Sequence, residues 1–277
     1  MMALWDGWRG GLRRRLRRRL HDRARLLDDR ALARSTVVFA PHPDDEVLGC
    51  GGVIARKVQL GAEVTIVYVT DGRRARRHLM PEDVFGALRR TESLEASRTL
   101  GVPAERVEHW GLDDELHTRP AAARERVLDL LERTNPLDVF LPHSGDPPED
   151  HLAVHALVHE SARRHPRPLT LYEYPVWLWG HWPWVTLPVR PRRHLPRRLA
   201  ASVATAGRMW ASTPWAADIR DVLDVKRVAL AAHRSQMERL VPSPDWHTLA
   251  DVANGEFLEC FFQPYELFYR YEHRFFG

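Results

Sequence analysis

The chain has 277 residues, of which 44% are hydrophobic, so it can bury the core of one large α/β domain or of two small ones. It contains no apolar run of roughly 18 residues and no apolar signal-peptide core, so we expect neither a transmembrane helix nor export. Cys50 and Cys260 are its only cysteines, which argues against a disulfide framework and excludes a cysteine-rich metal site. Any metal ligands must therefore be His, Asp or Glu.

The net charge of +4 is concentrated at the N-terminus, because residues 1–34 hold eleven Arg and four Asp and the remainder is slightly acidic. A basic arm on an acidic body argues against a nucleic-acid-binding protein. Within the arm, Leu12, Leu16 and Leu20 form a narrow apolar stripe on a predicted basic helix. Two interpretations stay open: residues 9–27 contact an anionic membrane surface or an acidic partner, or the helix is solvated and its leucines rest on the body of the protein.

From Thr36 onward, strand-like segments alternate with helical ones. The predicted strands are TVVFA, EVTIVYVTDG, VEHWGL, LDVFLPHSGD and LTLYEYPVW. The predicted helices are GGVIARKVQLG, GALRRTESLEASRTLG, RERVLDLLERTNP and HLAVHALVHESARR. This alternation predicts an α/β fold: a Rossmann-like open sheet, mostly parallel, with helices on both faces in three α/β/α layers. In such sheets, ligands bind at the carboxyl ends of the strands.

Two other segments have a distinctive composition. Residues 180–215 carry several Pro, Arg and Trp, which predicts a long irregular excursion that covers the site or binds a partner. The glycines of GCGG, residues 49–52, do not fit the dinucleotide pattern GxGxxG, because Ile54 stands where the third Gly belongs. We expect these glycines to let the backbone approach the site closely.

The first strand ends in APHPDDE, an unusually charged sequence. His42 and Asp45 are three residues apart, and a tight turn can aim both side chains at one metal ion. Asp44 would then lie beside the metal, free to act as a base. The dipole of a helix N-terminus explains one such carboxylate but not the whole set.

A second cluster, HSGDPPEDHLAVH, follows the fourth strand, which can neighbour the first strand in a doubly wound sheet. Its candidate ligands are Asp146, Asp150, His151 and His155. His159 lies on the same predicted helical face as the two histidines, but a single helical His is most often a packed or surface residue.

These motifs resemble a known family. APHPDDEVLGCGG, followed by a strand ending in TDG, is similar to the LmbE-like (PIG-L) zinc-dependent N-acetylglucosaminyl deacetylases. RRTESLEASRTLG, GLDD, EDHLAVH and KRVALAAHRSQ resemble further motifs of that family, so the resemblance spans residues 36–236. It implies one Zn²⁺ per chain and a deacetylase domain over residues 35–277, preceded by the basic amphipathic arm of residues 1–34.

The resemblance also implies roles for individual residues. The implied zinc ligands are His42, Asp45 and His151. The implied general base for the metal-activated water is Asp44. The residues implied to contact substrate hydroxyls are Arg89 and Asp114, or its neighbour Asp113. The residues implied to support the turn and the ligands from behind are Glu46 and Asp150.

The chain departs from the family at one position. The family's second motif reads H-P-D-H, and its first His stabilises the oxyanion, whereas the matching residues here are PEDH. Pro148 therefore replaces a hydrogen-bond donor. We take His143 as the nearest candidate for this catalytic role, with His155 and His233 behind it.

The resemblance implies removal of an N-acetyl group from a small amino-sugar or glycolipid substrate. The Trp-rich segment YEYPVWLWGHWPW either forms a wall of the pocket for sugar rings or belongs to the core. An amidase acting on a larger acyl group, or a zinc- and carbohydrate-binding module without catalysis, are the alternatives. We expect a cytoplasmic protein without a nucleic-acid partner, with peripheral contact at the inner membrane face left open. Nothing in the sequence indicates the oligomeric state.

Overall fold

Strands within residues 2–186 and 195–273, the ranges that this computed structural model describes, form one eight-stranded sheet. The strands are β1 (Arg25–Leu26), β2 (Thr36–Ala40), β3 (Val64–Tyr68), β4 (Val107–His109), β5 (Asp138–Pro142), β6 (Leu169–Tyr174), β7 (Trp215–Asp218) and β8 (Tyr265–His273). Their order is β1-β7-β8-β6-β5-β2-β3-β4, and only the pairings of β8 with β6 and β7 are antiparallel among those described. The predicted fold class, a mostly parallel α/β sheet, is confirmed.

Helices surround this sheet. They are α1 (Met2–Asp22), α2 (Asp29–Leu32), α3 (Asp45–Gln59), α4 (Glu82–Thr99), α5 (Glu115–Thr118), α6 (Pro120–Thr134), α7 (Glu149–Arg164), α8 (Leu195–Ala211), α9 (Leu223–Ala232), α10 (Arg234–Met237) and α11 (Glu256–Glu259). Among the described residues, none of the helices combines the length and the apolar character needed to cross a bilayer. The predicted helices are all present, although α3, α4, α6 and α7 each begin a few residues earlier than expected.

The two faces of the sheet are covered by different helices because side chains alternate along each strand. Val38 and Ala40 of β2 belong to one buried cluster with α3 and α4, whereas Val37 and Phe39 belong to another with α6 and α7. All four side chains are fully buried, as expected for a strand covered on both faces.

The helical connections on either side of β2 lie on opposite faces of the sheet. Strand β2 pairs in parallel with β3 on one side and with β5 on the other. The crossover after β2 runs through α3 on the first face, and the crossover after β5 runs through α7 on the second. The carboxyl ends of β2 and β5 therefore flank a topological switch point, where open α/β sheets form their ligand crevice.

Helix α1 rests on the body through its C-terminal half. Leu20 is fully buried, and Arg17 is paired with Glu259 at 3.0 Å, whereas Leu12 is 45% exposed. Just beyond the helix, strand β1 pairs with β7, so part of the predicted arm belongs to the sheet. The interpretation that the leucines rest on the body holds for this half of α1, and a membrane contact through residues 9–27 stays a prediction.

The predicted irregular excursion over residues 180–215 contains a regular element, helix α8, and residues 187–194 lie outside the described residues. The expectation of an irregular segment was wrong for α8. Ser202, Thr205 and Met209 are buried at helical spacing, and two of these three side chains are polar. Their polarity concealed the amphipathic pattern.

The glycines of GCGG lie inside α3 and serve packing within the core. A Cβ atom on Gly49 would lie 2.2 Å from Cδ2 of Tyr174, and one on Gly52 would lie 2.5 Å from Cγ2 of Ile219. Tyr174 in turn donates a hydrogen bond of 2.7 Å to the carbonyl of Phe39 in β2. The sequence predicted that these glycines let the backbone approach the site. In the structure, Gly49 and Gly52 instead let α3 approach the core side chains of Tyr174 and Ile219.

We expect Gly49→Ala to lower the free energy of unfolding by about 1–3 kcal/mol, because the added methyl group overpacks against the Tyr174 ring. Gly207→Ala is the matched control, since this exposed glycine of α8 has no atom within 4 Å of the added carbon. There, alanine should leave stability unchanged or raise it slightly. Urea unfolding of both variants measures the difference, and equal midpoints would contradict the packing role of Gly49.

Candidate active site

The turn after β2 has an unusual backbone conformation. Asp44 has φ 130° and ψ −28°, a region that residues with a side chain rarely adopt. The Asp44 N–H donates to Oε2 of Glu46 at 2.9 Å, and Oε1 of Glu46 lies 2.8 Å from Nε2 of His233. The guanidinium of Arg89 donates to the carbonyl of Pro43. These buried contacts hold the strained turn, and Glu46 lies where the sequence predicted a supporting residue.

Three side chains converge at this turn, one from the turn itself, one from the start of α3 and one from α7. Nδ1 of His42 and Nε2 of His151 each lie 3.2 Å from Oδ2 of Asp45, and the two imidazole centroids are 5.5 Å apart. One ligand atom from each residue lies within 4.8 Å of the others. In a tetrahedral site with metal–ligand distances of about 2.0–2.2 Å, neighbouring ligand atoms are about 3.3–3.6 Å apart. The 3.2 Å distances from the two His nitrogens to Oδ2 of Asp45 are close to that value.

A second observation indicates that these three residues could bind a divalent metal ion. His151 is fully buried, and the 3.2 Å contact with Asp45 is the only polar contact of its Nε2, without the alignment of a regular hydrogen bond, within the described part of the chain. A buried polar atom without a regular hydrogen bond is costly, and a metal ion would supply a partner. Two imidazoles and one carboxylate are a ligand set that suits zinc with an open position.

Each imidazole has a carboxylate behind it. Asp150 Oδ2 lies 3.0 Å from Nε2 of His42, and Asp146 Oδ2 lies 2.8 Å from Nδ1 of His151. Asp146 is held in turn by the backbone N–H of Leu178 at 2.7 Å. Carboxylates that orient ligand histidines in this way are typical of metal sites. Asp146, a candidate ligand in the sequence, is thus placed behind a ligand, as is Asp150.

The two adjacent aspartates differ in their electrostatics. Burial raises the pKa of Asp44 to about 6, an effect that Arg89 opposes and Asp45 reinforces. Burial also acts to raise the pKa of Asp45, but the His151 charge and hydrogen bonds from His151 and His42 lower it below its usual range. Asp45 is therefore ionised and suited to bind a cation, whereas a carboxylate with a pKa near neutrality is suited to exchange protons.

Two of the three convergent side chains, His42 and Asp45, line a cavity of about 540 Å³, a size typical of small-molecule sites. Asp44, Arg89, Asp113 and Trp177 also line it. Trp177 thus forms part of the wall, as one interpretation of the Trp-rich segment predicted. Trp179 and Trp184 of the same segment are buried in the core, as the other interpretation predicted.

Two residues that the sequence singled out lie elsewhere. The side chain of Asp114 is 70% exposed and is paired with Arg74, whereas its neighbour Asp113 lines the cavity. His143 does not line the cavity either. Its N–H extends the β5–β6 ladder to the carbonyl of Tyr174, and its buried ring packs edge-on against Tyr269. The spacing of His143 in the sequence could not show that its side chain points away from the cavity.

The other two histidines considered for the oxyanion role are also engaged away from the cavity. His155 Nε2 lies 2.9 Å from Glu173, and His233 is bound to Glu46 behind the turn. Instead, His117 of α5 lines the cavity, with Nε2 2.8 Å from Oδ1 of Asp150. His117 could not be singled out from the sequence, because it is a lone histidine in a segment without periodicity.

Fold and site together define a doubly wound α/β protein with two histidines and one carboxylate at its switch point that could hold a metal ion. Residues 37–162 match the PIG-L family, described as GlcNAc-PI de-N-acetylase. The resemblance to the PIG-L family seen in the motifs of this part of the chain is therefore confirmed.

Individual relatives agree with this assignment. The 1D-myo-inositol 2-acetamido-2-deoxy-alpha-D-glucopyranoside deacetylase of Nakamurella multipartita is 29% identical, over 80% of this chain and 96% of the relative. The N,N'-diacetylchitobiose deacetylase of Pyrococcus horikoshii shares the fold, with a TM-score of 0.59, 22% identity and coverage of 86% of this chain and 84% of that one.

The fold is also shared with a protein of a different reaction class, the 4-carboxy-2-hydroxymuconate hydratase of Pseudomonas putida. The TM-score is 0.53 and the identity 20%, over 77% of this chain and 81% of the other. The architecture alone therefore does not define the reaction, which must be inferred from the site.

Proposed function

We propose that this protein is a zinc-dependent N-deacetylase that hydrolyses the acetamide of an amino-sugar substrate. The observation that carries the proposal is the convergence of His42, Asp45 and His151 beside Asp44, at the mouth of a cavity. The PIG-L match and the Nakamurella relative, whose name specifies an acetamido sugar, support the same reaction class.

The residues of the site suit amide hydrolysis. A zinc ion held by His42, Asp45 and His151 would lower the pKa of water to ~7 and polarise the amide carbonyl. Asp44 takes the proton of the attacking water and later returns it to the leaving amine. Arg89 holds the Asp44 turn from behind through the Pro43 carbonyl, which keeps the base in position.

The cavity suits a sugar of modest size. Its volume of about 540 Å³ accommodates one or two sugar rings, and Trp177 offers an apolar face for ring packing. Asp113 and Arg89 place charged groups on the same cavity, where they can accept from and donate to hydroxyl groups. We therefore infer an amino-sugar conjugate as the substrate.

The direct test is acetate release by the zinc-loaded protein from a panel of N-acetylglucosamine conjugates with sugar, inositol and lipid aglycones. We expect acetate and the free amine in equal amounts from at least one conjugate. N-Butanoyl and longer N-acyl analogues test the alternative of a larger acyl group by the mass of the acid that is released. Bound zinc without hydrolysis of any amide in the panel would favour a binding module and contradict the proposal.

We expect Asp113→Asn to lower kcat/KM by about 10-fold or more, because a charged hydrogen bond to a substrate hydroxyl contributes about 1.5–3 kcal/mol. Asp114→Asn should have a smaller effect on kcat/KM, since the exposed Asp114 side chain does not line the cavity and contacts it only through its partner Arg74. Steady-state kinetics of both variants on one conjugate decide the assignment. The opposite order of effects would assign substrate binding to Asp114.

A further inference from the structure

One carboxylate bridges two imidazoles at the edge of the cavity. Asp150 lies 3.0 Å from Nε2 of His42 through Oδ2, and 2.8 Å from Nε2 of His117 through Oδ1. An ionised carboxylate can only accept hydrogen bonds, so both Nε2 atoms carry hydrogen. This leaves Nδ1 of His42 for a metal. Nδ1 of His117 has no hydrogen-bond partner in the described ranges of the chain.

His117 is both anchored and accessible. It lies in the short helix α5 next to Leu116, which is buried, and the N–H of Leu112 just before the helix donates to the Val69 carbonyl at 2.8 Å. The His117 side chain itself is 44% exposed and lines the cavity together with Asp44 and Asp45. A substrate held at the metal ligands therefore lies within the same cavity as this ring.

Amide hydrolysis is accelerated by a hydrogen-bond donor to the carbonyl oxygen. When water attacks the amide carbon, a new C–O bond forms and the π electrons of the carbonyl move onto its oxygen, which becomes negative. A preorganised donor to that oxygen is often the largest single catalytic contribution. Pro148 lines the cavity but offers no N–H or side-chain donor.

Other donors also line the cavity, among them the indole N–H of Trp177 and Nε of Arg89, which has no hydrogen-bond partner among the described residues. Several of the remaining donors are engaged. Arg74 pairs with Asp114, and Arg89 donates to the carbonyl of Pro43. Gln236 donates from its amide to Oγ of Ser235 at 3.0 Å. His117 differs from these side chains because its ring is fixed through Nε2 by Asp150 while its second nitrogen is left for a substrate atom.

We propose that His117 is a catalytic residue that, as an imidazolium with hydrogen on both ring nitrogens, donates a hydrogen bond from Nδ1 to the negative carbonyl oxygen, while Asp150 fixes its ring. This inference rests on the proposed deacetylase function. When the intermediate collapses, the oxygen electrons restore the carbonyl and the C–N bond breaks, with its electron pair moving to nitrogen. The nitrogen takes the proton that Asp44 removed from water, and His117 keeps its own proton throughout.

The test compares the zinc-loaded wild type with His117→Ala, His117→Gln and the control His78→Ala, an exposed histidine outside the cavity. Hydrolysis is measured on matched N-acetyl and N-trifluoroacetyl glucosamine conjugates, together with zinc content. Binding is measured by calorimetry with the N-methylphosphonyl analogue, whose tetrahedral, charged oxygen imitates the intermediate.

We expect His117→Ala to keep its zinc and to lose about 10²–10³-fold in kcat/KM on the acetyl substrate. The loss should be smaller on the trifluoroacetyl substrate, because fluorine already stabilises the negative oxygen. The phosphonyl analogue should bind at least about 10-fold more weakly, the binding of the free-amine product should not change, and His117→Gln should recover part of the activity through its amide donor.

Equal losses on both acyl groups with unchanged affinity for the phosphonyl analogue would overturn the role of His117, and so would wild-type kinetics of His117→Ala. If the wild type hydrolyses none of these amides, the proposed function itself fails and the role of His117 fails with it. By contrast, a wild type that hydrolyses these amides and a His117→Ala variant that hydrolyses them equally well would overturn only the role of His117.

Discussion

Asp44→Asn is expected to retain zinc and to lose about 10²- to 10⁴-fold in kcat, the usual contribution of a general base. The amide that replaces the carboxylate cannot accept the proton of the attacking water. In the wild type, the pKa of the Asp44 carboxyl is about 6, which is close to neutral pH, where proton exchange is efficient. The comparison requires kcat on one N-acetyl conjugate and zinc content by elemental analysis of the same preparation.

We expect the Asp44→Asn substitution to leave the backbone of the turn unchanged. Asn is among the residues that tolerate positive φ best, so the turn at φ 130° should survive the change. Asn can also accept the Arg89 contact at 3.4 Å that Asp44 Oδ1 makes now. An unchanged melting temperature verifies the fold. A variant that turned over at the wild-type rate would show that another group is the base.

His151→Ala is expected to weaken zinc binding by more than about 100-fold and to abolish hydrolysis. Removing a group that only orients a ligand already lowers metal affinity by about 10–100-fold, and the loss of a ligand should exceed this. The variant also leaves the buried carboxylates of Asp45 and Asp146 without their shared imidazole. Zinc stoichiometry after dialysis against a weak chelator measures the effect.

His155→Ala is the matched control, because His155 lies one turn further along α7 and its ring contacts Glu173 instead of the convergent site. Zinc should raise the melting temperature of the wild type and of His155→Ala, but not that of His151→Ala, since a ligand stabilises only the protein that binds it. Zinc retained by His151→Ala and lost by His155→Ala would assign the third ligand to His155.

The fold was largely predictable because its signals are local. Strand β2 is a short β-branched run, and α3 and α7 show helical spacing, so the alternation of elements could be recognised. The antiparallel strand β8 could not be placed in the same way, because its pairing with β6 depends on residues distant in the chain. Helix α8 was missed because part of its buried face is polar.

The convergent histidines and carboxylates of the site could be proposed from motifs, whereas their surroundings could not. His42 and Asp45 lie three residues apart after a strand, and this spacing alone indicated a shared ion. The position of Asp146 behind His151, and of His117 beside Asp150, depends on how loops from different strands meet. The side-chain direction of His143 likewise depends on its place in the β5–β6 ladder.

Crystals of the zinc-soaked protein, measured on both sides of the zinc absorption edge, test the central claim most directly. We expect a single strong anomalous peak about 2.0–2.2 Å from Nδ1 of His42, an Oδ of Asp45 and Nε2 of His151. Asp44 should lie beside that peak without coordinating it. An anomalous peak at other residues, or none between these three side chains at saturating zinc, would contradict the account.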